Sequence, residues 1–384
     1  MRNVWLTLLL VLPGLTACSE SNDTPDDLTP EPPITENIEL SIVDKNATSE
    51  TKALYANLWE IQQKGVIFGH HDDLFYGRKW YDVSGNSDTK GVCGDSAEEF
   101  SLHFAVIMNA IRKRCILEAR RRGEVITACC HLNNPLTGGD SWDNSNTRVV
   151  SEILKEGSEV QNKFKTWLDR LAVFAGELKD DEGKPIPIIF RPFHEHTQTW
   201  SWWGASCTTA TEFIALWKFT VNYLRDTKGI HQFIYAISPQ MDTVKTEDDF
   251  LFRWPGDDYV DFIGMDCYHG LNSTIFSYNL KTISDLSQKK QKPCGVTETG
   301  VEGFTAKDYW SKQILTPVTG RKISMIVMWR NKFVGGNDQD MHYFSVFKGH
   351  ASETDFIKFY NNELTYFSKD LPNMYLKPEH ITIK

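Results

Sequence analysis

Pro187-Ile188-Ile189-Phe190-Arg191-Pro192-Phe193-His194-Glu195-His196 opens as an apolar run and closes on a carboxylate set between two histidines. A short, nearly continuous apolar run is what a strand buried on both faces of a parallel sheet looks like. Packing accounts only for its first half, because the exposed end of a strand gains nothing structural from an acid beside imidazoles and rings. A second run behaves in the same way: Pro293-Cys294-Gly295-Val296-Thr297-Glu298-Thr299-Gly300. Two strands that each end in glutamate, far apart in sequence, imply one shared site at one edge of one sheet.

Outward from these runs, β-rich stretches alternate with helical ones from Gly65 to the C-terminus without a break in composition. Strands are expected at 65–71, 124–131, 186–194, 232–238, 261–268, 294–298 and 324–330. Apolar spacings of three and four predict helices at 49–64, 98–122, 151–178, 210–227, 274–290 and 307–316. Seven strands are visible, and an eighth is needed to close the α/β fold that this alternation fits best, a (β/α)8 TIM barrel. An open doubly wound sheet is the alternative, but no glycine-rich phosphate loop supports it. Polar and aromatic residues collect at the C-terminal strand ends, where such barrels build their sites: His70, His71 and Asp72, then His131, Asn133 and Asn134, then Tyr268 and His269, then Trp329 and Arg330.

The 384 residues, 41% of them hydrophobic, suffice for one barrel-sized core, and 38–384 reads as a single catalytic domain. A net charge of −10 disfavours nucleic acid and leaves a neutral ligand as the simpler expectation. Arg120-Arg121-Arg122 reads as a solvated helix end. Residues 1–18 hold Arg2, an apolar run from Val4 to Leu15 too short to span a membrane, and Leu15-Thr16-Ala17-Cys18. This resembles a bacterial lipoprotein signal, which implies cleavage before Cys18, acylation of that cysteine and contact with the membrane through lipid alone. Residues 19–37, rich in Asp, Glu, Pro, Ser and Thr, read as a disordered tether. Its early acids, Glu20, Asp23, Asp26 and Asp27, resemble signals that carry lipoproteins to the outer face of the outer membrane, so a cell-surface location is expected, with the periplasmic face as the alternative. The remaining cysteines, at 93, 115, 129, 130, 207, 267 and 294, show neither CxxC spacing nor a Cys/His array. No zinc site is expected, and one or two disulfides stay open.

Two carboxylates brought together from two strand ends suit glycoside hydrolysis, which needs one carboxyl protonated and one ionised. Glu195, among histidines and rings, suits the general acid that later serves as base, and Glu298 the nucleophile. Alternation along the strand places Arg191, Phe193 and Glu195 on one face, so Arg191 is expected to point into the barrel and keep Glu298 ionised. Rings offer flat platforms to the C–H faces of sugars. Trp142 stands in a polar loop, and of Trp200, Trp202 and Trp203 one is expected in the core and Trp200 toward the ligand. Trp217, Trp254 and Trp310 read as packing or rim residues. His194 and His196, two apart, would share a face of a regular strand and could ligate a metal with His131 and Asp266. No helix-borne HExxH accompanies them, so neither metal nor cofactor is expected.

Taken together, Phe68-Gly69-His70-His71-Asp72-Asp73, His131-Leu132-Asn133-Asn134-Pro135, Arg191-Pro192-Phe193-His194-Glu195, Gly264-Met265-Asp266-Cys267-Tyr268, Thr297-Glu298-Thr299-Gly300 and Trp329-Arg330-Asn331 resemble glycoside hydrolase family 26, best known as β-mannanases. The resemblance implies a retaining mechanism with Glu195 as acid/base and Glu298 as nucleophile. It implies that His194 orients the acid and the sugar, that Tyr268 hydrogen-bonds near the nucleophile and that Trp329 floors the sugar ring. His131, Trp142 and Trp200 would complete the cleft, with Arg191 and His71 also in the binding site. The implied activity is that of a monomeric endo-β-1,4-mannanase acting on mannan, galactomannan or glucomannan without cofactor. A mannobiose-releasing enzyme, another β-glycanase (β-glucanase or xylanase) and a non-catalytic surface glycan-binding lipoprotein are the alternatives.

Two stretches depart from that family. After Val92-Cys93-Gly94-Asp95, where a strand of the Pro-Ala-Val-aromatic-Gly-Trp kind is expected, stands Ser96-Ala97-Glu98-Glu99-Phe100, and 101–122 reads as one basic amphipathic helix. The second strand is therefore expected to be missing, displaced or built from unusual sequence. Cys130 precedes His131 where an aromatic residue is expected, which predicts an altered cleft floor.

Overall fold

The computed structural model describes residues 37–97, 99–104, 110–332 and 342–384, with the backbone alone for 100–104. Cys18 and the tether at 19–36 lie outside the described residues. Eight parallel strands follow one another round a ring: β1 Val66–His71, β2 Glu99–Phe104, β3 Val125–Cys130, β4 Ile188–Arg191, β5 Phe233–Ile237, β6 Phe262–Cys267, β7 Cys294–Thr299 and β8 Met325–Met328. The ring closes where β8 pairs with β1, Met325 opposite Ile67 through Met328 opposite His70. The expected TIM barrel is the observed one.

A period of two divides the strands between two cores. Ile67, Val125, Ile189, Ile234, Ala236, Phe262, Met325 and Val327 fill the barrel interior, whose lower end is covered by Leu54, Leu58 and Ile61 of α1 (Ser49–Gln62). Their neighbours Phe68, Ile126, Phe190 and Ile326 face outward against the helices. Outward-facing Phe68 lies among the rings of Trp310, Phe356, Phe359 and Phe367, at centroid distances of 5.1–5.8 Å. Truncating it to alanine would cost about 3–5 kcal/mol.

Helix starts follow local chemistry. The Thr48 and Ser158 hydroxyls accept from the amides of Thr51 and Gln161, and Thr209 and Glu212 form a reciprocal capping box. The helix expected over 151–178 is two helices, Val149–Leu154 and Glu159–Glu177, parted by a turn in which Gly157 has φ +74°.

The second strand exists, and the reading of 101–122 as one helix was wrong. Glu99–Phe104 pairs with β1 on one side and with all of β3 on the other, and a helix covers only Ala110–Arg122. Phe100, Leu102 and Phe104 alternate in the sequence, a period-two pattern overshadowed by the basic run that follows. Two neighbouring strands with open hydrogen-bonding edges decide the matter, since strand propensity is set mainly by such surroundings. Cys130 belongs to the outer core, so the departure before His131 does not touch the cleft floor. Arg120 and Arg121 end their helix on Asp180 and Asp181, and Arg122 on Glu118, so the basic block is a set of ion pairs at a helix end.

Candidate active site

β4 ends at Arg191, three residues before the expectation, because Pro192 cannot extend the ladder and the chain turns. Alternation therefore stops there. Arg191 points into the barrel as expected, but Phe193 packs in the outer core among Trp202, Trp203, Phe213 and Trp217. Glu195 reaches the cleft through a left-handed backbone, φ +52°, that non-glycine residues rarely adopt. Its amide donates to the carbonyl of Ser238 at 2.8 Å, which fastens the turn to the end of β5.

Glu298 arrives by a different device. Along the β6–β7 ladder Val296 is opposite Met265 and Glu298 opposite Asp266, so one extra residue, Thr297, is bulged into β7. Such bulges re-aim side chains beside active sites. The bulge turns Glu298 onto the Arg191 guanidinium, whose Nη2 donates to its Oε1 at 2.6 Å, while the Tyr268 hydroxyl donates to its Oε2 at 2.9 Å. Arg191 Nη1 also grips both carboxylate oxygens of Asp266, at 2.8 and 2.9 Å, and donates to Ser238 Oγ at 3.0 Å. Thr297 Oγ1 donates to Asp266 Oδ1 at 2.6 Å. Burial pushes the Asp266 carboxyl up, but all these side-chain partners are donors, so it is held as the anion that Arg191 needs.

One side-chain oxygen each of Glu195, Asp266 and Glu298 lies within 4.8 Å of the others. Burial raises the Glu195 carboxyl well above the usual carboxylate range, and the charges of Glu298 and Asp266 raise it further. The Trp200 indole N–H, 2.6 Å from Oε2, opposes them weakly. One acid is thus pushed toward its protonated form, while its neighbour is strapped by a guanidinium and a phenol.

Two aromatic groups flank the pair. At the ends of β8 and β1, Trp329 stacks on His71 with centroids 4.4 Å apart. Beyond β3 and β4, Trp142 stacks on His131 at 4.9 Å, with Trp200 5.4 Å from Trp142 and His194 4.9 Å from His131. Trp142 is 57% exposed, an open platform. Burial holds His71 and His194 well below the usual imidazole range and His131 at about 4, so all three are neutral partners for hydroxyls. Burial beside Glu298 pushes the Tyr268 phenol well up and keeps it a donor.

The expected site residues therefore converge on one cleft. Trp200 faces it, but two of its companions, Trp202 and Trp203, are core, where one was expected. Their indoles donate to the carbonyls of Leu132 and His194 and so hold both cleft loops. His194 and His196 do not share a face, because the strand ends before them: His196 stacks on Phe213 at 4.2 Å, away from the cleft. The seven cysteines among the described residues are free thiols. Asp266 was read as a possible metal ligand and is the partner of Arg191. The signal was present, since an acid closing the apolar run Phe262-Ile263-Gly264-Met265 must find a cation.

The pattern of Glycosyl hydrolase family 26 matches residues 43–298. A mannan endo-1,4-beta-mannosidase of Bifidobacterium adolescentis is 31% identical over 86% of this chain and 36% of its own length. One of Caldalkalibacillus mannanilyticus is 24% identical over 67% of this chain and 49% of its own. The chain thus spans between a third and a half of these curated relatives. A GH26 beta-mannanase structure from Bacteroides ovatus is 35% identical with a TM-score of 0.81, covering 87% of this chain and 98% of that one. The catalytic domain of an endo-beta-1,4-mannanase from Bacillus sp. JAMB-750 is 28% identical with a TM-score of 0.82, over 92% and 100%. With the family pattern matching two thirds of the chain, residues 43–298 with both glutamates, the chain belongs to glycoside hydrolase family 26.

Proposed function

We propose that this chain is a retaining endo-β-1,4-mannanase acting on mannan, galactomannan or glucomannan. The observation that carries the reading is the carboxylate pair: oxygens of Glu195 and Glu298 within 4.8 Å. An inverting pair stands roughly 6.5–9.5 Å apart to admit a water, and the close approach here favours the retaining arrangement. Glu298, oriented by Arg191 and Tyr268, attacks the anomeric carbon while Glu195 gives its proton to the departing glycosidic oxygen. Glu195, now ionised, takes a proton from water, which attacks the anomeric carbon and releases Glu298. Neutral histidines and indole platforms fit an uncharged polysaccharide, and the names of the relatives favour mannan.

The test is incubation of the protein lacking residues 1–18 with galactomannan, xylan and mixed-linkage β-glucan, following reducing ends and product sizes. New ends from mannan alone, with long early products, support internal cutting of mannan. Early disaccharide would overturn the endo assignment, cleavage of another glycan the substrate, and binding of mannan without new ends the enzyme reading.

We further propose that Cys18 is acylated and anchors the enzyme to the outer membrane, facing outward. Support comes from Leu15-Thr16-Ala17-Cys18 and the acidic tract behind it. Cys18→Ala should abolish fatty-acid labelling and release the protein, and resistance of the wild type to protease added to intact cells would refute surface exposure.

A further inference from the structure

Along β3 the inner face runs Val125, Thr127, Cys129, while Ile126, Ala128 and Cys130 pack outward. Cys129 is opposite Arg191 in the β3–β4 register, so its thiol lies under the carboxylates. Its sulfur, a ring nitrogen of His194 and a carboxylate oxygen of Glu298 lie within 4.8 Å of one another, and all three residues are buried. No step of glycoside hydrolysis uses the thiol.

We propose that Cys129, His194 and Glu298 form a binding site for a soft divalent cation, Zn2+ or Cd2+, whose occupation switches hydrolysis off. Thiolate, imidazole and carboxylate are a donor set that soft and borderline ions take in four-coordinate sites, with the fourth position left to water from the cleft. The centre of a triangle with sides of at most 4.8 Å is no more than roughly 2.8 Å from each corner, so closing onto zinc at about 2.0–2.3 Å asks each donor to move by roughly 0.5–0.8 Å at most. The charge is favourable as well: the Arg191 guanidinium faces both Asp266 and Glu298, which leaves an excess of negative charge for a cation to offset. Binding is a simple exchange, in which the sulfur–metal bond forms as the thiol proton leaves to solvent. Glu298 can then no longer attack, and His194 is withdrawn from the sugar. The second cluster, Glu195 with Asp266 and Glu298, offers oxygen alone, a donor set that suits harder ions than Cd2+ or Zn2+, so it is not the site.

The experiment titrates the purified protein with Cd2+ in thiol-free buffer, following the ultraviolet thiolate-to-cadmium charge-transfer band and the initial rate on galactomannan in the same samples. One ion per chain should account for both the band and the loss of rate, and a chelator should restore the rate in full. Cys129→Ser should hydrolyse like the parent, lose the band and need at least tenfold more Cd2+ or Zn2+ for half-inhibition. Cys129→Ala should do the same, and Cys93→Ser, at the one partly exposed thiol among the described residues, should match the parent. Parental sensitivity or a persisting band in the Cys129 variants overturns the proposal. Mannooligosaccharide filling the cleft of the parent should raise the Cd2+ required, and absence of competition is equally fatal. A chain silent on every glycan would sink the mannanase reading, while the band would still decide this one.

Discussion

Glu195 and Glu298 are the same side chain at the ends of two strands of one barrel, and their surroundings make them opposites. Glu298 comes off a β-bulge onto a guanidinium and a phenol, one donor on each oxygen. Glu195 comes off a strained turn with one indole N–H as its side-chain donor and two carboxylates for neighbours. The difference teaches that the protonation a carboxyl favours follows from which charges the backbone delivers to it, since residue identity does not separate the two.

The comparison is broken most severely at the strapped member. Glu298→Ala should lower kcat on galactomannan by on the order of 10⁴-fold or more while oligosaccharide binding persists. Near-parental turnover would end its assignment as nucleophile. Glu195→Ala should cost on the order of 10²–10⁴-fold on the polysaccharide. It should spare glycosylation by aryl mannosides whose leaving groups need no proton, with azide restoring turnover by intercepting the glycosyl-enzyme. Equal losses on activated and unactivated substrates would contradict the acid/base role.

Smaller changes sharpen the contrast. Tyr268→Phe removes one charged hydrogen bond from Glu298, about 1.5–3 kcal/mol, and should reduce kcat/KM by about ten- to a hundredfold with the fold intact. The smallest effect is expected from Trp200→Phe, which keeps a ring in the cleft and deletes the donor to Glu195. That donor favours the ionised acid, so without it the proton is held to higher pH. Hydrolysis requires the protonated acid and fades as pH rises through its pKa. The alkaline limb of the pH–rate profile should therefore move upward, and an unmoved or lowered limb would show that Trp200 does not govern the acid.

Much of this arrangement was legible in the chain, for definite reasons. Barrel strands advertise themselves because both faces are buried, as in Pro187-Ile188-Ile189-Phe190, and both glutamates stood out as acids that packing could not explain. β2 was illegible because the short alternation at Phe100, Leu102 and Phe104 competes with a longer helical pattern, and only the open edges of β1 and β3 resolve it. Phe193 was assigned to the inner face because alternation was carried past Pro192, where the ladder had already stopped. Cys129 drew no attention beside Cys130, since which of two adjacent residues faces inward depends on register.

The sequence by itself determined the fold class, the strand ends that carry chemistry, the two glutamates and the expectation that Arg191 would meet Glu298. These follow from hydrophobic period and from residue types that cost too much to place idly. Only the tertiary structure decided the bulge that aims Glu298, the left-handed turn that presents Glu195, the clasp of Asp266 on Arg191 and the thiol beneath Glu298. Each depends on register between strands far apart in the chain, and a displacement of one residue there exchanges what faces the cleft for what faces the core.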